Sequence, residues 1–343
     1  MRVGILGTGA IANKHAEAYR NLGWDIVACS NRTAERGQVF SQRWGCEFVS
    51  DYESLCRHPR LDFVDICTFP DFHLEPLRVC AAARRPVQVQ KPIATNLATA
   101  REMIALAADA GIPLSVMSQH RFDDATLFLK RALRAGRLGR LLEADAYVKW
   151  FRSDEYYGRP VKGSWQTEGG GALINQAIHQ VDVLQFLAGP VNRVSGMWQL
   201  GARHKIEAED VVNALLAYES GATGVIQAST AFWPGFTERI ELHGTNGTAI
   251  ISGERLSHWD VLDDEEANAS DPAPLAANEF SGSSDPMAIS VRSFERQFLD
   301  FAEAIRDGRK PSVSGQEGYR ALAVVTGIYD SCRAVRPVSV DQL

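Results

Sequence analysis

Through its first 120 residues the chain alternates short aliphatic and β-branched runs with longer stretches of helical periodicity. The runs Arg2–Leu6, Asp25–Cys29, Phe63–Thr68, Val87–Gln90 and Leu114–Met117 read as strands, and stretches such as Ala98–Ala110 read as helices. Strands alternating with helices at this spacing predict βαβ units and a parallel sheet covered on both faces. After about Arg121 the rhythm changes. A helix near Ala125–Arg134 is followed by longer strand-like runs at Leu142–Phe151, Val191–Leu200, Val211–Glu219, Gly224–Ala231, Glu238–His243 and Thr248–Ser252. Short glycine-bearing links such as Gly244-Thr245-Asn246-Gly247 suit antiparallel neighbours, so this half predicts one large, mostly antiparallel open sheet. Helices are expected at Gly171–Leu187, Phe294–Arg306 and Glu317–Arg333, and the Asp-, Ala-, Ser- and Pro-rich stretch Asp263–Asp285 predicts a long surface loop.

The pattern thus divides the chain into an α/β domain at 1–120 and an α+β domain at 121–343, in line with 343 residues at roughly 150 per domain. Charge narrows the field of partners: 36 Lys+Arg against 42 Asp+Glu give a net −6, with no basic block, which argues against nucleic acid. No apolar run approaches the ~18 residues that span a bilayer, so neither a membrane nor a transmembrane segment is expected and a cytoplasmic location is the default. The six cysteines contain no C-x-x-C pair and fall in apolar or helical patterns, which reads as reduced core thiols.

The first strand runs into Gly7-Thr8-Gly9-Ala10-Ile11-Ala12, a G-x-G-x-x-A turn that opens a helix. Gly7 allows the tight turn, Gly9 lets backbone approach a pyrophosphate, and small Ala12 permits close helix–strand packing. A bare glycine turn without ligand is the competing reading, weakened by the strand before and the helix after. An NAD-selective site usually carries an acid about 20 residues on. Here the second strand ends in Cys29-Ser30-Asn31-Arg32 instead. Neutral Asn31 does not repel a 2′-phosphate and Arg32, with Arg36, offers it a partner, so NADP(H) is the expected cofactor with NAD(H) as the alternative.

Two further segments carry chemistry. Val87-Gln88-Val89-Gln90-Lys91-Pro92 places a lysine at a strand's carboxyl end, where ligands bind in open α/β sheets. Gly169-Gly170-Gly171 then leads into a predicted helix on which Asn175 and His179 share one stripe, with Asp182 close enough to orient the His179 ring. A metal on His179 and Asp182 lacks a third ligand, so no metal site is assigned.

With these motifs in their order, including Thr68-Phe69-Pro70 with His73, Gln119-His120-Arg121-Phe122 and the closing Arg336-Pro337-Val338, the chain resembles the glucose-fructose oxidoreductase / inositol dehydrogenase (Gfo/Idh/MocA) family over its full length. The resemblance implies a Rossmann domain, an open-sheet domain, and hydride transfer between a nicotinamide and a hydroxyl or keto carbon of a sugar or sugar derivative. It implies that Lys91 and His179 are catalytic, with Asn175 beside them. It further implies a dinucleotide site of Gly7, Gly9, Ala10, Ile11, Ala12, Asn31, Arg32, Thr68, Pro70, His73, Gln90, Lys91 and Gln119, and association into homodimers or homotetramers. Two positions depart from the family pattern: Gln90 stands where Glu is usual and Asn175 where many members have Asp.

The chemistry is intelligible from the residues. Taking hydride from a secondary alcohol requires removing its hydroxyl proton, and a positioned histidine or a lysine of lowered pKa does either half of that exchange near neutral pH. His179 is expected as acid/base and Lys91 as donor to the same oxygen, their division of labour left open. Arg121, Arg152 and Trp165, with Lys91, Asn175 and His179, are the expected substrate contacts, suited to a sugar ring or, through the cations, to a nucleotide-linked amino-sugar acid. A noncatalytic dinucleotide-sensing regulator and a glycosidase using NAD transiently are the competing classes. Retention of both Lys91 and His179 favours an enzyme.

Overall fold

The computed structural model describes residues 1–159, 161–262 and 290–343, and the chain divides into two compact units. The first comprises Met1–Gln119, Ser290–Tyr319 and Leu343; the second comprises the described residues of 120–289 and Arg320–Gln342. The expected loop at Asp263–Asp285 lies outside the described residues.

The first unit is built on a six-stranded parallel sheet of β1 (Arg2–Leu6), β2 (Asp25–Ser30), β3 (Glu47–Phe48), β4 (Phe63–Ile66), β5 (Val87–Val89) and β6 (Leu114–Val116), in the order β3-β2-β1-β4-β5-β6. This is the doubly wound Rossmann order, whose direction reverses between β1 and β4 and so opens a crevice at their carboxyl ends. The central strands are buried on both faces, which is why β1 and β4 read as nearly unbroken apolar runs. Space at the centre is tight: a Cβ on Gly4 would come within 2.4 Å of Leu61.

Residues 290–319, which sequence patterning grouped with the second domain, belong structurally to the first unit. The reason is an aromatic seam. Helix Arg292–Asp307 turns Phe294, Phe298 and Phe301 onto helix Ala10–Asn21 and β4, with Tyr19–Phe298 ring centroids at 4.3 Å and Phe63–Phe301 at 5.3 Å. The chain beyond that helix then pairs with β6 through Ser115 and Ser314.

The second unit carries an eight-stranded sheet of β7 (Leu141–Lys149), β8 (Val191–Leu200), β9 (Glu209–Tyr218), β10 (Thr223–Ser229), β11 (Arg239–Gly244), β12 (Gly247–Ser252), β13 (Arg255–Val261) and β14 (Val338–Ser339). Its order is β13-β12-β11-β7-β10-β9-β8-β14, antiparallel except for the β7–β10 pair. The second half of β9 alternates: Val212, Ala214 and Leu216 are buried while Asn213 and Leu215 face out. Helix Ile178–Ala188 covers the buried face across β7, where the small residues Ala144 and Ala146 admit it. The helix expected at Gly171–Leu187 differs at its start: Leu173–Ala177 forms a π-turn before the α-helix begins at Ile178.

Candidate functional site

At the carboxyl edge of the parallel sheet, Gly7 adopts a left-handed φ of +88°, and a Cβ there would lie 2.9 Å from the Cys67 carbonyl oxygen, so only glycine fits the turn. Gly9 is the N-cap of helix Ala10–Asn21; a Cβ on it would meet nothing of the protein within 4 Å. That helix has no side-chain cap and no acid in its first turn, so its amide groups and dipole are presented to an incoming anion. Ala12 is fully buried, as close helix–sheet packing requires, while Ala10 and Ile11 start the helix at the turn.

Three side-chain oxygens along this edge, Thr8 Oγ1, Thr68 Oγ1 and Gln119 Oε1, are buried without a hydrogen-bond partner among the described residues. They follow β1, β4 and β6, and a polar ligand laid across the strand ends would satisfy them, so the donor set fits a dinucleotide. Asn31 braces the same edge: its Oδ1 accepts from the Thr8 amide at 3.2 Å and its Nδ2 donates to the Thr33 carbonyl at 2.9 Å. Arg32 is exposed and near enough to Asp71 to act on its titration. Beside the turn lies a cavity of about 290 Å³ that brings Arg36, Arg43 and Glu35 near Thr8 and Asn13.

Beyond β4, Pro70 starts a 3₁₀ turn and His73 is fully buried. The His73 ring ties two loops together, with Nδ1 3.0 Å from the Ile93 carbonyl oxygen and Nε2 3.1 Å from that of Thr68. Burial lowers its pKa, so the neutral ring donates to one of these carbonyls. Gln90 is buried at the end of β5, and Lys91, half-buried, follows it.

In the second unit Gly171, the last of the glycine triplet, is required by close approach: a Cβ on it would sit 1.9 Å from the Glu209 carbonyl oxygen. The Glu209 carboxylate accepts from the Gly171 and Leu173 amides at 2.7 and 2.8 Å and from the Tyr329 hydroxyl at 2.8 Å. Burial raises this carboxyl to about 7 against the pull of those donors. Side-chain acceptors from distant elements intercept the first amides of the helix, and Tyr329 also takes the Ile174 amide at 3.3 Å, which accounts for the π-turn. The single α-helical stripe expected for Asn175 and His179 is therefore interrupted.

Asn175 donates to Glu168, a buried carboxylate also held by Lys162 at 2.5 Å and by the Gly163 amide at 2.8 Å. Asn175, noted above as a departure from the family pattern, thus has a carboxylate beside it in Glu168. His179 is half-buried, its ring edge-on to His120 at 5.1 Å. Asp182, expected to orient His179, instead receives a two-pronged pair from Arg121, Nε to Oδ2 at 2.7 Å and Nη2 to Oδ1 at 2.6 Å. Arg121, expected at the substrate, is only 5% exposed and engaged in that pair. Arg152 is likewise buried, bonded to Gln176 at 3.1 Å and stacked over Trp150, while Trp165 packs edge-on against Tyr329. Arg121 and Lys162 are thus charge-matched inside the fold.

Sequence reasoning passed over Glu168, Glu209 and His120 as participants, and also His15 and Asp65. The last two had a signal: Asp65 interrupts the apolar strand Phe63-Val64-Asp65-Ile66, and His15 sits on the buried stripe Ala12-His15-Ala16-Tyr19.

Residues 1–118 match the oxidoreductase-family NAD-binding Rossmann-fold model, and residues 126–250 match the Gfo/Idh/MocA C-terminal domain model. The chain belongs to the Gfo/Idh/MocA oxidoreductase family. It is 30% identical to D-apiose dehydrogenase of Paraburkholderia graminis, over 99% of this chain and 89% of that protein. It is 26% identical to myo-inositol 2-dehydrogenase of Thermotoga maritima, over 100% of this chain and 99% of the relative. The WlbA dehydrogenase of Bordetella pertussis, solved with NADH and UDP-GlcNAcA, superposes with a TM-score of 0.88 at 26% identity, over 100% and 99% of the two chains. As a Gfo/Idh/MocA member the protein is an oxidoreductase that uses a nicotinamide dinucleotide on a hydroxyl or keto carbon of a small carbohydrate. No helix among the described residues is long and apolar enough to cross a membrane.

Proposed function

We propose that His179 exchanges the proton of the reacting hydroxyl and that Lys91 donates a hydrogen bond to the same oxygen, with Asn175 as a further polar contact. The observation that best supports the reading is the row of unpartnered oxygens on Thr8, Thr68 and Gln119 along the strand ends that lead to Lys91. A bound dinucleotide supplies or accepts the hydride. Gly7, Gly9 and the following helix start hold its pyrophosphate, with Ala10, Ile11 and Ala12 forming that start. Asn31, Arg32, Thr68, Pro70, His73, Gln90, Lys91 and Gln119 frame the rest. Lys91 stabilises negative charge on the carbinol oxygen, and a half-buried imidazole at His179 carries its proton near neutral pH.

The substrate we favour is an uncharged pentose or polyol, because Arg121 and Lys162 are matched by Asp182 and Glu168. The likeness to WlbA supports a second reading, a nucleotide-linked sugar acid, in which Arg121, Arg152 and Trp165 turn to the substrate. NADP(H) is the preferred cofactor in this proposal, since no acid follows β2 and Arg32 is exposed for a 2′-phosphate; NAD(H), seen with WlbA, is the alternative. Met197 and Leu215, 76% and 63% exposed on neighbouring strands of the second sheet, suit burial in a homodimer or homotetramer. A cytoplasmic location fits six unpaired cysteines.

The test is a spectrophotometric panel of D-apiose, myo-inositol and UDP-GlcNAcA, each with NAD⁺ and NADP⁺, on wild type, Lys91→Ala and His179→Ala. Each variant should lose most turnover while keeping dinucleotide affinity. Wild-type turnover in both would refute the residue assignment, and saturable dinucleotide binding with no turnover on any sugar would favour the regulator. Light scattering in solution gives the subunit number, and a single protomer would refute the association proposal.

A further inference from the structure

Behind β4 and β5 the first unit buries a polar chain that runs from helix Ala10–Asn21 to Gln90. His15 and Asp65 are fully buried and Gln90 is 6% exposed, with the rings of Phe294 and Phe298 packed at 5.2 and 5.1 Å from the His15 ring. Asp65 Oδ2 accepts from the Tyr19 hydroxyl at 2.7 Å and stands 2.7 Å from His15 Nδ1. On the other side of the ring, His15 Nε2 lies 2.8 Å from Gln90 Nε2, and Gln90 Oε1 accepts from the Lys91 amide at 3.3 Å.

With Asp65 as the acceptor, the donors and acceptors close in one way. A carboxylate can only accept, so Nδ1 carries the proton toward Asp65. The Lys91 amide can only donate, so Gln90 turns its oxygen to Lys91 and its NH₂ to the imidazole, and Nε2 must then be a bare lone pair. Reversing the Gln90 amide would set its NH₂ against the Lys91 N–H, two donors face to face. A glutamate at position 90 could not donate to that lone pair. The glutamine in this chain is thereby matched to a neutral histidine at 15.

The same His15 and Asp65 atoms, with Cys67 Sγ, lie within 4.8 Å of one another, the spread of a three-ligand metal site. Ligands on a tetrahedral zinc at about 2.0–2.3 Å stand roughly 3.3 Å or more apart. The 2.7 Å between Nδ1 and Oδ2 is shorter than that and is a hydrogen-bond distance.

We propose that His15 is a positioning residue for Lys91: Asp65 fixes its Nδ1–H tautomer, its Nε2 lone pair orients the Gln90 amide, and Gln90 anchors the Lys91 backbone. The inference rests on the reading of Lys91 as a catalytic side chain. Small displacements of a reacting group are costly, about a hundredfold for 1 Å in favourable cases, so an anchor one residue away acts on turnover more than on binding.

Histidine-labelled full-length protein tests the tautomer without any substrate. The ¹⁵N and ¹³C signals lost in His15→Gln should show the neutral Nδ1–H form at pH 7; an imidazolium or an Nε2–H ring overturns the proposal. Turnover provides the second arm, on whichever of D-apiose, myo-inositol and UDP-GlcNAcA the wild type oxidises. Unchanged rates in Lys91→Ala remove the underlying reading and this inference with it. With Lys91→Ala inactive, two substitutions separate positioning from packing. His15→Asn keeps a donor for Asp65 but withdraws the acceptor from Gln90, whereas His15→Gln places an acceptor where Nε2 was. We expect kcat to fall about tenfold or more in His15→Asn and to be largely retained in His15→Gln, with dinucleotide affinity near wild type in both. Equal kcat values in the two variants at matched melting temperatures would show a packing role only and overturn the proposal.

Discussion

Replacing His120 tests whether a charged neighbour acts on His179, the proposed base. Burial pushes the His120 imidazole down, but Asp123 at 2.8 Å, joined by Glu238 and Glu254, reverses that and raises it to about 9. The ring is therefore an imidazolium at neutral pH, edge-on to His179 at 5.1 Å. A unit charge at 5.1 Å opposes a second like charge by about 1–3 kcal/mol for effective dielectric constants between about 80 and 20, equivalent to about one to two pH units. In His120→Asn that opposition vanishes, His179 accepts a proton at higher pH, and the acidic limb of kcat/KM for alcohol oxidation should move up by about one to two units. Asp123→Asn, which removes the Asp123 negative charge as it releases the His120 proton, should move it by much less. Asp123→Asn also has a stability signature with a definite sign. A histidine raised on folding contributes stability that is complete below its unfolded value of about 6.5 and fades as pH rises through about 9, so the variant's deficit should be larger at acidic than at alkaline pH. With His120 16% exposed, about 3 kcal/mol is the upper bound on that deficit. Initial rates across the pH range, with thermal melts beside them, give both readouts, and an acidic limb unmoved in His120→Asn refutes the reasoning.

Glu209 should show a slope of the same sign in a more acidic window: its carboxyl, near 4.5 when unfolded and about 7 when folded, makes stability fall as pH rises from about 4.5 to 7, by at most about 3 kcal/mol. Glu209→Gln should flatten that slope in chemical denaturation series, and an unchanged slope would assign it elsewhere. Gly171→Ala drives a methyl to 1.9 Å from backbone oxygen and should destabilise by several kcal/mol, on the order of the larger overpacking costs, read as a lowered melting temperature; a melt within a degree of wild type would mean the turn yields freely. Phe298→Ala empties the centre of the aromatic seam and should cost about 3–5 kcal/mol in urea unfolding, a value under about 1 kcal/mol showing that the seam collapses onto the gap.

What was legible in the chain follows from the range of the physics involved. The strands of the parallel sheet are buried on both faces and announce themselves as apolar runs, and the Gly7–Gly9 turn follows from local backbone sterics. Both features need only neighbouring residues. The two-residue β3 is too short to carry a period, and β14 forms only by pairing with β8. The π-turn depends on Glu209 and Tyr329 reaching in from other elements, which no helical periodicity around Asn175 records. Arg121 and Asp182 were each visible as charged residues near the site motifs, yet that they are bonded to each other is a tertiary fact. The same holds for the neutral partner that His15 provides for Gln90: the glutamine was visible as a departure from its family's pattern, and its reason lies on a helix 75 residues earlier.

The return of Ser290–Tyr319 to the first unit bears on how the protein is made. A ribosome releases the six parallel strands early, but Phe294, Phe298 and Phe301 emerge only after a long further stretch of chain that includes β7 to β13. At about 5–20 residues per second the nascent amino-terminal portion waits on the order of ten seconds or more with Tyr19 and Phe63 uncovered, a surface for chaperones to hold during translation.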